Sequence, residues 1–211
     1  MATMIAVLIP ALAGAQAPQR SVTLAASQQL IKFNTTMSTL TGQLVGVPKP
    51  ANVRITLQRA VFPYQRFRAL QRVRADATGS FSFTVAPAVN TQYRVVAATK
   101  PALQSTTVGV LVMPQVTIKL SSGHPRAGHP LRVSGYVYPE DNRAGVELQF
   151  TRTANWRVVR TGQAYDIGGS VRSGYSFVLP APHLAQRVRV VVTQDNNHAP
   201  SASHQRALRP R

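Results

Sequence analysis

Residues 38–59 read STLTGQLVGVPKPANVRITLQR, and residues 131–152 read LRVSGYVYPEDNRAGVELQFTR. Gly42 and Gly135 stand 93 residues apart, as do Val53 and Val146, Arg59 and Arg152, and Pro87 and Pro180. Within both stretches apolar and polar residues alternate: Val53, Ile55 and Leu57 in the first, Val146, Leu148 and Phe150 in the second. A period of two places alternate side chains on opposite faces of a strand. Working outward, Val22-Thr-Leu24 matches Val116-Thr-Ile118, and Gly79-Ser-Phe-Ser-Phe83 matches Gly174-Tyr-Ser-Phe177. Tyr93-Arg-Val-Val-Ala97 matches Val188-Arg-Val-Val-Val192, and Phe67 matches Trp156. Matching order along a whole unit indicates a duplication.

Turn signals separate the runs: Val47-Pro-Lys-Pro50, Asp76-Ala-Thr-Gly79, Pro139-Glu-Asp-Asn142 and Gly168-Gly169. No segment holds a 3.6-residue apolar period. About seven short strands in roughly 95 residues predict a β-sandwich, with Phe67 and Trp156 in the two cores. The chain is therefore expected to be all-β, two tandem Ig-like antiparallel β-sandwich domains at 18–114 and 115–195. The join falls at Met113-Pro114 with almost no linker. Residues 196–211, polar and proline-containing with three arginines, are expected to form a disordered basic tail. At the N-terminus, Met4–Leu12 is a short apolar run followed by small residues, so residues 1–17 read as a signal peptide-like segment cleaved after Ala13 or Ala15, although no basic residue precedes the run. No later run is long and apolar enough for a spanning helix.

The run Ser21-Val-Thr-Leu24, Ile31-Lys-Phe33, Thr39-Leu-Thr-Gly42, Val53-Arg-Ile-Thr-Leu-Gln58, Asp76-Ala-Thr-Gly-Ser-Phe-Ser-Phe83 and Tyr93-Arg-Val-Val-Ala97 resembles the tandem Ig-like modules of exported actinobacterial proteins. Its Asp-x-x-Gly-x-Phe-x-Phe element is similar to that of carboxypeptidase-regulatory-like (transthyretin-like) domains. The resemblance covers roughly residues 20–193. It implies a spacer, adhesion or accessory module, secreted or held at the cell envelope, and it carries over no catalytic residue.

The chemistry-bearing residues are few. With no cysteine there is no disulfide, thiolate nucleophile or thiolate metal site. The six acids are Asp76, Glu140, Asp141, Glu147, Asp166 and Asp195; Asp76 and Asp166 fall in turns, where Asp commonly caps backbone amides. His124 and His129 share a Pro- and Gly-containing loop and read as solvated rather than metal-binding. No nucleophile elbow, phosphate loop or dinucleotide fingerprint occurs. The reading is therefore non-enzymatic, without cofactor or metal. Tyr64, Tyr136 and Tyr138 are candidate sugar platforms.

Charge is the outstanding feature. Twenty-four basic residues face six acids, a net +18, and 11 of the bases with a single acid fall within residues 20–114. Such an excess calls for an anionic partner. In Arg66-Phe-Arg-Ala-Leu-Gln-Arg-Val-Arg74, strand alternation would line up Arg66, Arg68, Arg72 and Arg74 along one side, with Arg54 projecting from a strand of the same unit. Guanidinium forks suit phosphate, sulfate or carboxylate polymers; the competing reading is a solvated face that blunts a strand edge. The expected partner is an anionic envelope glycopolymer or a protein, and the alternative is nucleic acid.

Overall fold

A computed structural model describes residues 19–169 and 171–211; the signal-like segment at 1–17 lies outside the described residues. The chain is all-β. Its first ten strands are β1 Ser21–Val22, β2 Ala25–Ala26, β3 Leu30–Lys32, β4 Ser38–Val45, β5 Arg54–Val61, β6 Arg68–Arg74, β7 Ser80–Val85, β8 Thr91–Ala97, β9 Leu103–Gln104 and β10 Val108–Met113. The next ten are β11 Gln115–Val116, β12 Lys119–Leu120, β13 Pro130–Tyr138, β14 Gly145–Thr151, β15 Arg157–Gln163, β16 Tyr165–Asp166, β17 Ser173–Pro180, β18 Gln186–Val192, β19 Ser201–Ala202 and β20 Arg206–Leu208.

They form four sheets. β1 and β2 both pair with β4, which pairs with β7 on its other side; a second sheet runs β3-β10-β8-β5-β6, with β9 also on β8. β11 and β12 both pair with β13, followed by β17 and β16; the fourth sheet runs β15-β14-β18, with β19 and β20 both on β18. The pairings are antiparallel except β3 with β10. Alternation drives the packing: Ile55 and Leu57 of β5 and Val146 and Leu148 of β14 are buried while their neighbours are not. Two separate apolar clusters result, one spanning Val22 to Val112 and the other Val116 to Leu208.

The last sixteen residues correct the expectation of a disordered tail. β19 and β20 continue the fourth sheet, and Leu208 is 0% exposed within the second cluster. A serine explains the break between the two strands. Ser203 N donates to Val190 O at 2.8 Å, and its Oγ accepts from Val190 N at 3.0 Å. The same device sits between β9 and β10, where Ser105 N donates to Val95 O at 3.1 Å and Oγ accepts from Val95 N at 3.0 Å. The hydroxyl stands in for a backbone acceptor, so the strand kinks without orphaning an amide. Two fragments of two and three residues give too short an apolar alternation to be seen in sequence.

Gly42 and Gly135 occupy equivalent crowded places. A Cβ at Gly42 would fall on the Thr23 carbonyl oxygen and the Phe81 ring; one at Gly135 would meet the Thr117 carbonyl oxygen and the Tyr175 hydroxyl, which itself donates to Thr117 O. Backbone oxygen cannot swing aside as a side chain can. Gly135→Ala is expected to cost about 1–3 kcal/mol through overpacking, read as a lower urea midpoint with an unchanged slope.

Candidate anion-binding surface

The two outer strands, β6 and β15, are edges, and each carries a bulge at the same place. Leu57 lies opposite Gln71 but Gln58 lies opposite Ala69, leaving Leu70 unpaired. Leu148 lies opposite Arg160 but Gln149 lies opposite Val158, leaving Val159 unpaired. One extra residue reverses which face each later side chain points to.

The bulge corrects the arginine stripe. Residues directly opposite one another in an antiparallel pair share a face. Arg74 lies opposite Arg54 and Arg72 opposite Thr56, so Arg54, Arg72 and Arg74 share the outer face, away from Ile55 and Leu57. Beyond Leu70 the sense inverts. Arg68 lies opposite Arg59, and Arg59 in turn lies opposite the buried Tyr93. Arg66 precedes β6 and joins Arg59 and Arg68 around a cleft at the end of the sheet. Three of the five expected arginines therefore come together; Arg66 and Arg68 form a second group on the other side.

The aromatic expectation is corrected as well. Phe67 and Trp156 are only partly buried and lie in neither core cluster. Each lies on the outer face beneath a guanidinium: Arg94 is 4.1 Å from the Phe67 ring centroid and Arg189 is 4.2 Å from that of Trp156. Glutamines hold both arginines, Arg94 Nε donating to Gln58 Oε1 at 2.8 Å and Arg189 Nε to Gln149 Oε1 at 2.9 Å. The bulge turns the residues that precede the extra one, and so these aromatics, outward. Tyr136 and Tyr138 are treated similarly, with Arg172 lying 3.9 Å over Tyr136 and donating to the Tyr138 hydroxyl at 2.7 Å.

Among the described residues no arginine or lysine lies within 4.0 Å of a carboxylate; the ion pair present is His198 with Asp141. Arg94, Arg172 and Arg189 are held by neutral groups, and Arg74 donates to Asn52 O at 3.2 Å. Arg54, Arg59, Arg66, Arg68 and Arg72 are exposed with no side-chain hydrogen bond among the described residues. Such groups keep their full capacity for an external anion.

Sequence reading missed the buried polar cluster. Asp141 looks like half of a loop dipeptide, and His198 falls in the segment expected to be disordered. His198 Nδ1 lies 2.6 Å from Asp141 Oδ2, with the two side chains 1% and 8% exposed. Nε2 donates to Ala88 O at 3.2 Å, so no ring nitrogen is free to act as a base. Asp195 Oδ1 accepts from the amides of Asn197 and His198, both at 2.7 Å. Burial pushes the Asp195 carboxyl above the ordinary range, helped by the neighbouring Asp141, while those amides pull it down. Asp141, Asp195 and His198 each bring a ligand-type atom within 4.8 Å of one another, but those on Asp141 and His198 are bonded to each other. The signal in the sequence was Asp195 three residues before His198, the spacing of a side chain capping amides in a turn.

This cluster joins the two halves. Asn90 N donates to Asn197 O at 2.7 Å and its Oδ1 accepts from Val112 N at 2.9 Å, while Ala199 N donates to Val112 O at 2.8 Å. The turn acids are elsewhere. Asp76 Oδ1 accepts from Thr78 Oγ1 at 2.6 Å and from the amides of Thr78 and Ser80 at 2.8 and 2.9 Å, which lowers its pKa. Asp166 Oδ1 accepts from Gly168 N at 2.7 Å. His124 sits at the surface, its Nδ1 3.2 Å from Arg209 O.

No protein-family model and no curated protein sequence matches this chain. No helix among the described residues is long and apolar enough to cross a membrane.

Proposed function

We propose that this is an exported, non-catalytic protein of two tandem Ig-like sandwiches that binds an anionic polymer of the cell envelope through its first sandwich. Support for the two-module reading comes from the two apolar clusters, the paired bulges at Leu70 and Val159, the paired serine kinks at Ser105 and Ser203, and the paired Gln–Arg–aromatic groups. The second sandwich then extends to include β19 and β20.

The observation that carries the binding reading is the in-register pair of Arg54 and Arg74, with Arg72 on the same face and no carboxylate within 4.0 Å among the described residues. Like charges directly opposite on a sheet are destabilising. Successive same-face residues lie about 7 Å apart along a strand, so a flexible chain of phosphates or carboxylates can meet several guanidinium groups at once. Nucleic acid is the second reading, favoured by the Phe67 ring with the Arg94 guanidinium over it on the same outer face, a stack that a base could extend.

Binding of a poly(glycerol phosphate) and of single-stranded DNA, each titrated against salt, tests both. The Arg54→Gln/Arg72→Gln/Arg74→Gln variant should lower the steepness of the salt dependence by roughly three counterions. Undiminished binding by this variant would remove the surface from its role. A Phe67→Ala loss confined to DNA would favour the second reading. N-terminal mass spectrometry after cell fractionation tests export, which fails if residues 1–17 remain on a cytosolic protein.

A further inference from the structure

The second arginine group surrounds an apolar tip. After β5 the chain turns through Phe62, Pro63 and Tyr64, the turn closed by Tyr64 N donating to Val61 O at 2.7 Å. Val61 and Phe62 are each 46% exposed. The Phe62 ring stands edge-on to Tyr64, centroids 5.9 Å apart, which fixes it in place. Arg59, Arg66 and Arg68 line a cleft of about 440 Å³ with Val61, Phe62 and Pro63. None of the three has a carboxylate within 4.0 Å among the described residues, and the first acid in the whole chain is Asp76.

The fold does not require an apolar tip. The corresponding turn between β14 and β15 is Arg152-Thr-Ala-Asn-Trp156, polar at three of five positions, with its first four residues exposed and Trp156 beneath Arg189. Two apolar side chains held in water are therefore a property of the first turn alone. The bulge at Leu70 is what brings Arg68 round to Arg59 beside them.

We infer that the Val61–Arg68 tip docks on an anionic lipid surface, Val61 and Phe62 entering the headgroup boundary while Arg59, Arg66 and Arg68 meet lipid phosphates. A dissolved polyanion would satisfy the guanidinium groups but leave Val61 and Phe62 in water. A bilayer of anionic lipid satisfies both, since basic side chains and a shallow apolar contact together are the terms that hold a protein at that interface. This tip is distinct from the Arg54, Arg72 and Arg74 face, and either surface can fail without the other.

Co-flotation with vesicles tests the inference, using phosphatidylcholine alone and phosphatidylcholine mixed with phosphatidylglycerol. Binding is expected to the mixed vesicles and not to phosphatidylcholine alone. Arg59→Gln/Arg66→Gln/Arg68→Gln should weaken it about 100-fold, at about one Lys- or Arg-equivalent contact each. Phe62→Ala, at a half-exposed tip outside the apolar cluster, should weaken vesicle binding about tenfold and leave retention on poly(glycerol phosphate) unchanged. Thermal melts check that both variants fold. Absence of binding to the mixed vesicles overturns the inference. So does equal vesicle binding by Phe62→Ala, which would make the arginine group a site for soluble polymer.

Discussion

Asp141→Ala is expected to lose about 3–5 kcal/mol of unfolding free energy, the cost of stranding one member of a buried ion-paired couple. His198 is 1% exposed, and without Asp141 its Nδ1 loses the partner it holds at 2.6 Å. Urea unfolding measures the loss. The Asp141→Ala/His198→Leu double variant should recover part of it, because the buried ring is then gone and only Ala88 O loses a partner. Recovery of nothing by the double variant would show that Asp141 acts through its backbone contacts instead. Asp195→Asn is expected to be mild at neutral pH, since an amide oxygen can still accept from Asn197 and His198. The sign of Asp195's own contribution follows from its raised pKa. It is present in full below the ordinary value of 3.8 and is lost as pH rises through the raised value. Asp76 runs oppositely: its lowered pKa gives a contribution present above 3.8 and lost as pH falls through the folded value.

An anionic polymer is expected to raise the melting temperature by about 5–10 °C when present at a hundredfold excess over its dissociation constant. That excess is worth about 2.7 kcal/mol, and each kcal/mol moves a chain of this size by about 2–4 °C. The physical source is the pairing of Arg54 with Arg74 across β5 and β6. In the free protein this pair repels with no carboxylate within 4.0 Å among the described residues, and a bound anion removes the repulsion. Calorimetry with and without polymer measures the shift, and high salt should abolish it. Arg54→Gln/Arg74→Gln should melt higher than the parent alone and respond less to polymer. A parent that gains nothing from polymer would count these arginines as solvated surface.

The strands of both halves could be read because alternation at Ile55 and Leu57, and at Val146 and Leu148, survives into burial. What could not be read was any place where the period breaks. Leu70 and Val159 are ordinary strand residues, and nothing in their identity announces that a partner skips them. Those two skips misassigned Arg66, Arg68 and Phe67 in the first half and Trp156 in the second to faces they do not occupy. The kink at Ser203 hid β19 and β20 in the same way, by cutting one strand into pieces too short to show alternation. The His198 cluster joins three distant segments, at Ala88, at Asp141 and at 195–198, and such a meeting is invisible until the fold is known. The surplus of arginine over acid, by contrast, was plain from composition; its lack of internal partners needed coordinates.

β20 has a consequence for synthesis. Chains emerge from the ribosome N-terminal end first and fold unit by unit. The first apolar cluster has all its strands once Met113 has emerged. The second stays short of Leu208, and of the edge that covers β18, until β20 has followed. For that interval Val188 and Val190 lie along an unfinished edge, open to a strand from another nascent chain. Shortening the polypeptide before Arg206 would make the interval permanent.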